Sequence, residues 1–169
     1  IDYNASMSKT LTKSGLTIPL IGLGTWDLDQ KKCSRVVSEA LDLGYRHIDA
    51  AAMYENESEV GTGIIDSRVD REKVFLTTKI NTTDWTPSGG YGSLLQNKTI
   101  IKSFEKSLFD LKTDYVDLLL IHWPKFETNL GDMLEIMYQI KDNQKAKEVG
   151  VAKFHSNLLN ECINLGFND

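Results

Sequence analysis

Five apolar segments alternate with helical segments along this chain, and this alternation restricts its fold more than any other feature. The apolar segments start near residues 20, 46, 74, 115 and 148, so one strand–helix unit recurs roughly every 25 to 40 residues. The segment YVDLLLIH at residues 115–122 is almost continuously apolar, which is typical of a strand buried on both faces of a parallel sheet. The pattern predicts an α/β protein, folded as a doubly wound sheet or as a barrel.

The segments between the strands have the spacing of amphipathic helices. Residues 29–44 form the first, with Gly44 at the position of a glycine cap, and residues 55–67 form the second. Three further helices are predicted around residues 101–111, 133–140 and 156–163, the last of them capped by its first residue, a serine.

Two irregular features complete the pattern. Residues 9–19 predict a small hairpin that turns at Ser14 and Gly15. Residues 80–97 read as one long irregular segment, and a loop of that length in a compact α/β protein is either functional or mobile.

The glycine motifs decide between the two architectures. The segment GLGTWD at residues 22–27 lacks the third glycine of a dinucleotide-binding fingerprint, and Gly61-Thr62-Gly63 lies within a predicted helix. A phosphate-binding GxxxxGK[ST] loop is also missing from the sequence. The chain therefore favours a barrel of the (β/α)8 TIM type over a doubly wound sheet.

Composition narrows the class of protein. The 169 residues suit a single domain over residues 1–169, and their net charge of −5 argues against nucleic-acid binding. No apolar run approaches the roughly 18 residues of a membrane span. Cys33 and Cys162 make no disulfide framework, which favours the cytoplasm. The three histidines lack metal-ligand spacing, so no metal site is predicted.

Polar side chains lie at the C-terminal ends of three neighbouring predicted strands. Asp49 ends the second strand, and Tyr54 lies in the loop just after it. Lys79 ends the third strand, and His122 ends the fourth. Barrel enzymes place their chemistry at this end of the strands, so we expect the four side chains to converge.

These residue types suit the reduction of a carbonyl group. An ammonium favours the ionised form of a neighbouring phenol, so Lys79 makes Tyr54 a workable proton donor. Asp49 supplies a counter-charge for Lys79, and His122 can donate to a carbonyl oxygen. Taken singly, each residue also has a structural explanation as a helix cap, a packing aromatic, a solvated strand end or a partner of a backbone carbonyl. Their shared position favours catalysis.

Four segments of the chain resemble the aldo-keto reductase family. They are GLGTW at residues 22–26, GYRHIDAAAMYENESEVG at 44–61, TTKI at 77–80 and DYVDLLLIHWP at 114–124. The resemblance covers the chain from Lys9 onward and is greatest to the bacterial branch that includes diketogluconate reductases. It implies a (β/α)8 barrel that reduces an aldehyde or ketone with NADPH, or with NADH in some members.

The resemblance also implies roles for individual residues. In the family's tetrad Tyr54 is the proton donor, Lys79 and Asp49 tune it, and His122 orients the carbonyl. Gly24, Thr25 and Trp26 match the segment that lines the cofactor, together with Asp49. The rings of Trp26 and Trp123 match the walls of a substrate pocket.

Two features depart from the family's pattern. The fifth strand reads GVAKF at residues 150–154, where family members usually hold the nicotinamide carboxamide with Ser and Asn. Ala152 offers no hydrogen bond, and Lys153 offers only donors and a charge. Eight strand–helix units take about 250 residues, whereas this sequence contains five. We expect a barrel truncated to about its first five units, with weak NADPH binding and self-association through open edges. The alternative is a non-catalytic remnant, or a regulatory or interaction module, that keeps the tetrad by ancestry.

Overall fold

The computed structural model describes residues 9–13, 15–80, 94–124 and 130–167. The strands are β1 (Thr10–Lys13), β2 (Leu16–Pro19), β3 (Leu23–Gly24), β4 (His47–Asp49), β5 (Phe75–Ile80), β6 (Val116–Ile121) and β7 (Ala146–Val151). The α-helices are α1 (Gln30–Asp42), α2 (Glu57–Asp66), α3 (Leu94–Asp110), α4 (Leu130–Asp142) and α5 (Ser156–Asn164). None of these described helices has the length and apolarity that a membrane crossing requires.

Strands β3 to β7 form one parallel sheet in sequence order. A helix follows each strand, and the next strand always pairs with the one before it, as in the first part of a (β/α)8 barrel. A doubly wound sheet would instead reverse its strand order at a switch point. The predicted α/β fold, a barrel truncated to five strand–helix units with an N-terminal hairpin, is confirmed.

The register assigns side chains to the two faces of this sheet. Because side chains alternate along a strand, Ile48, Leu76 and Leu119 share one face, which is fully buried in the hydrophobic core. The helices pack on this outer face. The inner face carries Lys79 and its partner Leu120, which is only half-buried.

Local boundaries differ from the predictions in three places. The strand predicted near residues 20–24 is β3, which is only two residues long. The Leu20 N–H donates instead to the Lys9 carbonyl (2.9 Å) and so extends the hairpin. Ser156 is the first residue of α5 rather than its cap, and His155 occupies the cap position without a side-chain hydrogen bond. The predicted irregular segment 80–97 lies largely outside the described residues, as does Ser14 of the hairpin turn, but α3 already begins at Leu94.

Helix α2 contains the Gly61-Thr62-Gly63 motif, as predicted. A Cβ atom at Gly61 would lie 2.6 Å from the carbonyl of Leu111, and one at Gly63 would meet the carbonyl oxygen of Ser34. The two glycines therefore let α2 pack closely against both α1 and the end of α3.

An ionic cluster joins the strands at their N-terminal ends. The buried Asp117 carboxylate accepts from the Arg71 guanidinium (3.0 Å), the Leu76 N–H (2.9 Å) and the Lys147 ammonium (2.7 Å). Since this cluster lies at the end of the sheet away from the predicted catalytic residues, we assign it a structural role.

Candidate active site

The C-terminal ends of β4 and β5 bring three of the predicted residues into contact. The Lys79 ammonium donates to the Asp49 carboxylate (2.7 Å), to the Ala50 carbonyl (2.9 Å) and to the Tyr54 hydroxyl (3.3 Å). Lys79 is only 7% exposed, and a buried ammonium needs such partners to offset its lost hydration. The arrangement places a fixed positive charge beside the phenol oxygen.

Tyr54 ends a short 3-10 helix, Ala52–Tyr54, that follows β4. Its ring lies between the Trp26 ring (centroids 5.2 Å apart) and the His122 ring (5.7 Å apart), with interplanar angles of 63° and 78°. Edge-to-face contacts of this kind are favourable between aromatic rings. The phenol is thus held from two sides as well as at its hydroxyl.

His122 follows β6 directly and is 2% exposed. Burial lowers the pKa of His122 to about 4, and the nearby ammonium groups of Lys79 and Lys153 contribute to the shift. Its imidazole is therefore neutral at pH 7. The buried Nδ1 atom has no hydrogen-bond partner among the described residues, which is unusual for a buried polar atom.

The segment after β3 is fixed to the end of β4. The backbone N–H and the hydroxyl of Thr25 donate to the Asp49 carbonyl (3.0 and 3.2 Å), and Thr25 is completely buried. The Asn56 side-chain amide donates to the carbonyls of Thr25 (2.9 Å) and Leu28 (3.3 Å). Gly24 faces open space, since a Cβ there would have no neighbour within 4 Å.

Sequence reasoning missed Asn56 and its neighbour Glu57. Glu57 is buried and accepts from the Thr78 hydroxyl (2.5 Å), so it joins the segment after Tyr54 to β5. Burial raises the pKa of the Glu57 carboxyl, although hydrogen bonds from Thr78 and Ser107 oppose that shift. The signal in the sequence was two polar residues, the second and third after Tyr54, at the start of a predicted helix.

Three residues at the rim have left-handed backbone conformations without being glycine. Asp27 (φ 60°) follows Trp26, Glu55 (φ 55°) follows Tyr54, and Lys153 (φ 59°) lies beyond β7. Such conformations cost energy and tend to occur at functional sites. Here each one turns the chain sharply next to a residue of the predicted site or its rim.

The two predicted pocket tryptophans lie against different residues of the site. Trp26 packs on Tyr54, whereas the Trp123 ring is 5.9 Å from the His122 ring at an angle of 32°. Trp26 is 66% exposed and Trp123 is 43% exposed. The Lys153 ammonium lies 3.4 Å from the centre of the Trp123 ring. Over the described ranges, no group of three or more His, Cys, Asp or Glu residues is arranged to hold a metal ion.

Comparison with protein families assigns the chain to a family. The model of the aldo/keto reductase family matches residues 20–166. The chain belongs to this family. The matched range includes all four tetrad residues and the whole five-stranded sheet.

Individual aldo/keto reductases give the same result. An aldo-keto reductase of Mycolicibacterium smegmatis is 38% identical over 159 residues, which are 93% of this chain and 54% of that protein. The methylglyoxal reductase DkgB of Yersinia pestis is 37% identical over 150 residues, covering 88% of this chain and 52% of that protein. A crystal structure of a candidate 2,5-diketo-D-gluconic acid reductase B superimposes with a TM-score of 0.85 at 32% identity, covering 96% of this chain and 54% of the other.

These matches confirm the resemblance to bacterial diketogluconate-reductase relatives. The chain spans about half the length of the curated relatives it matches. In this member of the aldo/keto reductase family, Ala152 and Lys153 directly follow β7. The Ala152 N–H continues the pairing of β7 with β6 through the Ile121 carbonyl (2.8 Å), and the Lys153 side chain turns toward Trp123.

Proposed function

We propose that this chain carries the proton-donating site of an oxidoreductase that reduces aldehydes or ketones with NADPH. The contact of the Lys79 ammonium with both Asp49 and the Tyr54 hydroxyl carries the proposal. Membership of the aldo/keto reductase family and relatives named as reductases support it.

Tyr54 is the proton donor in this proposal. Its hydroxyl gives a proton to the carbonyl oxygen of the substrate, and the Lys79 ammonium at 3.3 Å stabilises the phenolate that remains. Asp49 keeps Lys79 in place through the 2.7 Å ion pair. The neutral imidazole of His122 donates its one N–H to the carbonyl oxygen and so orients the substrate.

The residues present fit the reacting end of a nicotinamide cofactor. The buried Nδ1 atom of His122 has no hydrogen-bond partner among the described residues, and Trp26, on the other side of the Tyr54 ring, is exposed. NADPH, with NADH as the alternative, supplies a hydride to the carbonyl carbon when bound. Gly24 and Trp26 would contact the nicotinamide end together with Asp49, while the buried Thr25 would act by fixing their segment.

The substrate in this proposal is a small carbonyl compound. Trp26 and Trp123 would wall its pocket, and one relative is named as a methylglyoxal reductase. The protein would act in the cytoplasm, because the thiols of Cys33 and Cys162 are free and buried. We expect no nucleic-acid partner, given the net charge of −5.

A second candidate is a non-catalytic remnant or interaction module of the same fold. The residues at 152 and 153 favour it, because Ala152 and Lys153 cannot hold a carboxamide as Ser and Asn would. Loss of such a hydrogen bond typically costs about 1 kcal/mol. Turnover by the purified chain distinguishes the two candidates.

The test is NADPH oxidation with methylglyoxal, measured on the wild-type chain, on Tyr54→Phe and on Tyr45→Phe. Removing the Tyr54 hydroxyl should lower the rate by about 10² or more, which is the usual contribution of a general acid. Tyr45 precedes β4, at the opposite end of the sheet. Tyr45→Phe is therefore the control for removing a tyrosine hydroxyl away from the site. A Tyr54→Phe rate equal to wild type would remove Tyr54 from its role, and no turnover by any variant would favour the remnant.

A further inference from the structure

Asn56 occupies a helix-cap position, but its side chain does not cap the helix. The residue directly precedes α2, and its carbonyl accepts the Val60 N–H (3.0 Å). Asparagine is favoured at such a position because its side-chain oxygen accepts a backbone N–H of the first helical turn. In this chain that hydrogen bond is not formed, and the buried Oδ1 atom of Asn56 has no partner among the described residues. The side chain therefore contributes little to the start of α2.

The Asn56 amide is turned instead toward the loop that carries Trp26. Its nitrogen donates to the carbonyls of Thr25 (2.9 Å) and Leu28 (3.3 Å), and the whole residue is buried. These two loop residues are also joined by a turn, in which the Leu28 N–H donates to the Thr25 carbonyl (3.3 Å). One buried amide thus fixes both ends of the turn that contains Trp26.

A second amide joins the same two segments in the opposite direction. The side chain of Gln30, the first residue of α1, donates to the Glu55 carbonyl (2.9 Å). Glu55 lies between Tyr54 and Asn56 and has a left-handed backbone with a φ of 55°. The loop after β3 and the segment after β4 are therefore linked from both sides by side-chain amides.

Trp26 depends on such a link to stay on Tyr54. Its ring packs edge-to-face on the Tyr54 ring, with centroids 5.2 Å apart, although 66% of Trp26 is exposed. Burial therefore holds the indole only weakly, because the free energy of burial scales with the area removed from water. The Asn56 hydrogen bonds fix the backbone on both sides of Trp26, and the backbone restricts the orientations that its side chain can adopt.

We infer that Asn56 is a positioning residue, which holds Trp26 against Tyr54 so that the pocket wall and the proton donor form one rigid unit. The inference rests on the proposed function of Tyr54. Asn56 acts through Trp26 and takes no part in the proton transfer itself.

The first experiment is NMR spectroscopy of the purified wild-type chain, and it requires no turnover. The side-chain amide protons of Asn56 should exchange with solvent more slowly than those of Asn143, which is exposed just after α4. Nuclear Overhauser contacts should connect the rings of Trp26 and Tyr54. Exchange at Asn56 as fast as at Asn143, or the absence of the ring contact, would overturn the inference.

The second experiment removes the amide donor without changing the size of the side chain. Asn56→Asp places an oxygen opposite two carbonyls, and an ionised carboxylate cannot donate to them. Aspartate caps a helix about as well as asparagine, so the start of α2 is retained. The contact between the Trp26 and Tyr54 rings should be lost in Asn56→Asp and in Asn56→Ala. It should be kept in Asn143→Asp, which makes the same chemical change at the surface.

A stability control separates positioning from a general loss of structure. Ile136→Val removes one methylene group from the buried core side of α4, which lowers stability, and it should keep the ring contact. A merely structural Asn56 would behave in the same way, with a lower free energy of unfolding and an intact contact in the folded chain. That result would contradict the inference. Circular dichroism verifies that each variant is folded.

A double-mutant cycle determines whether Asn56 acts through Trp26. Trp26→Ala should shift the NMR signals of the Tyr54 ring, and adding Asn56→Asp should shift them little further. In NADPH oxidation with methylglyoxal, each single variant should lower kcat about tenfold or more, because a small displacement of a reacting group is costly. The double variant should be no slower than Trp26→Ala alone.

The two readouts of this cycle distinguish failure of the inference from failure of the proposed function. Additive effects of Asn56→Asp and Trp26→Ala on the Tyr54 signals or on kcat would overturn the positioning role. If the wild-type chain does not turn over, the proposed function fails for this chain, and the Tyr54 signals still decide the role of Asn56.

Discussion

At the residue scale, Lys79 and His122 have neighbours of different charge. Lys79 is buried but keeps three oxygen partners. His122 is equally buried but faces two ammonium groups, those of Lys79 and Lys153. A lysine can therefore remain the counter-ion of Asp49 while the histidine next to it stays neutral.

The neutral state of His122 makes the stability of the chain depend on pH. Its pKa is lowered from 6.5 to about 4 in the folded chain, so the unfolded chain binds more protons between these pH values. The contribution of neutral His122 to the free energy of unfolding is therefore fully present above pH 6.5 and is lost as the pH falls toward 4. Between pH 7 and 4 the wild-type free energy of unfolding should fall by up to about 3 kcal/mol more than that of His122→Gln.

Urea unfolding over a pH series measures this difference. His155→Gln is the matched control, because His155 is exposed at the start of α5, and its curve should follow the wild type. Parallel wild-type and His122→Gln curves would show that burial of His122 does not control its protonation.

At the scale of elements, α2 connects the site to the outer layer of helices. Glu57 in its first turn holds the Thr78 hydroxyl of β5, and its two glycines lie against α1 and the end of α3. The position of α2 thus influences the segment before it, which carries Tyr54. The close packing of α2 thus depends on the absence of a side chain at Gly61 and at Gly63.

Substituting Gly63 tests this close approach. In an exposed helix, Gly→Ala stabilises by about 1 kcal/mol. Here the added methyl group would meet the Ser34 carbonyl oxygen and the Val37 side chain, and such overpacking costs about 1–3 kcal/mol. We expect Gly63→Ala to lower the free energy of unfolding by up to about 2 kcal/mol, measured by urea denaturation.

Thr62→Ala is the control in the same helix turn, because Thr62 is half-exposed and its hydroxyl donates to the Ser58 carbonyl within α2. It should change stability by about 0.5 kcal/mol or less. A stabilised Gly63→Ala chain would mean that α1 and α2 separate readily.

At the scale of the whole molecule, β3 and β7 are the two outer strands of the sheet that the described residues form. Strands β3 and β7 each have one neighbour among the described strands. On the inner face, Leu118 and Leu120 are only half-buried. Unpaired strand edges and exposed apolar side chains both favour association with another chain.

We therefore expect the purified chain to sediment as a species larger than the monomer at micromolar concentration. Leu118→Lys, which places a charge on the inner face, should weaken this association, while Leu43→Lys at an exposed position after α1 should not. Sedimentation velocity, with circular dichroism to verify folding, makes the comparison. A monomeric wild-type chain would show that the open sheet is stable alone.

Much of the fold followed from the sequence, because its signals are local. The apolar run at 115–122 became β6, and the helical repeat ending at Leu111 became α3 and the turn after it. Strand-end positions also brought Asp49, Tyr54 and Lys79 together without any three-dimensional information, since parallel strands end at one rim. Periodicity and strand direction suffice for predictions of this kind.

Other features were decided only by tertiary contacts. The amide of Asn56 reaches the Thr25 carbonyl, 31 residues away, and the Lys153 ammonium lies on the Trp123 ring. No local pattern specifies such pairs, because they depend on how loops from different strands meet. The pKa of His122 depends in the same way on burial and on the charges of Lys79 and Lys153, which are far from it in the sequence but near it in the fold. The sequence thus determined the strands, their order and the chemistry at their ends, whereas tertiary packing decided the charge state of His122, because electrostatic energies depend on distance and desolvation in space.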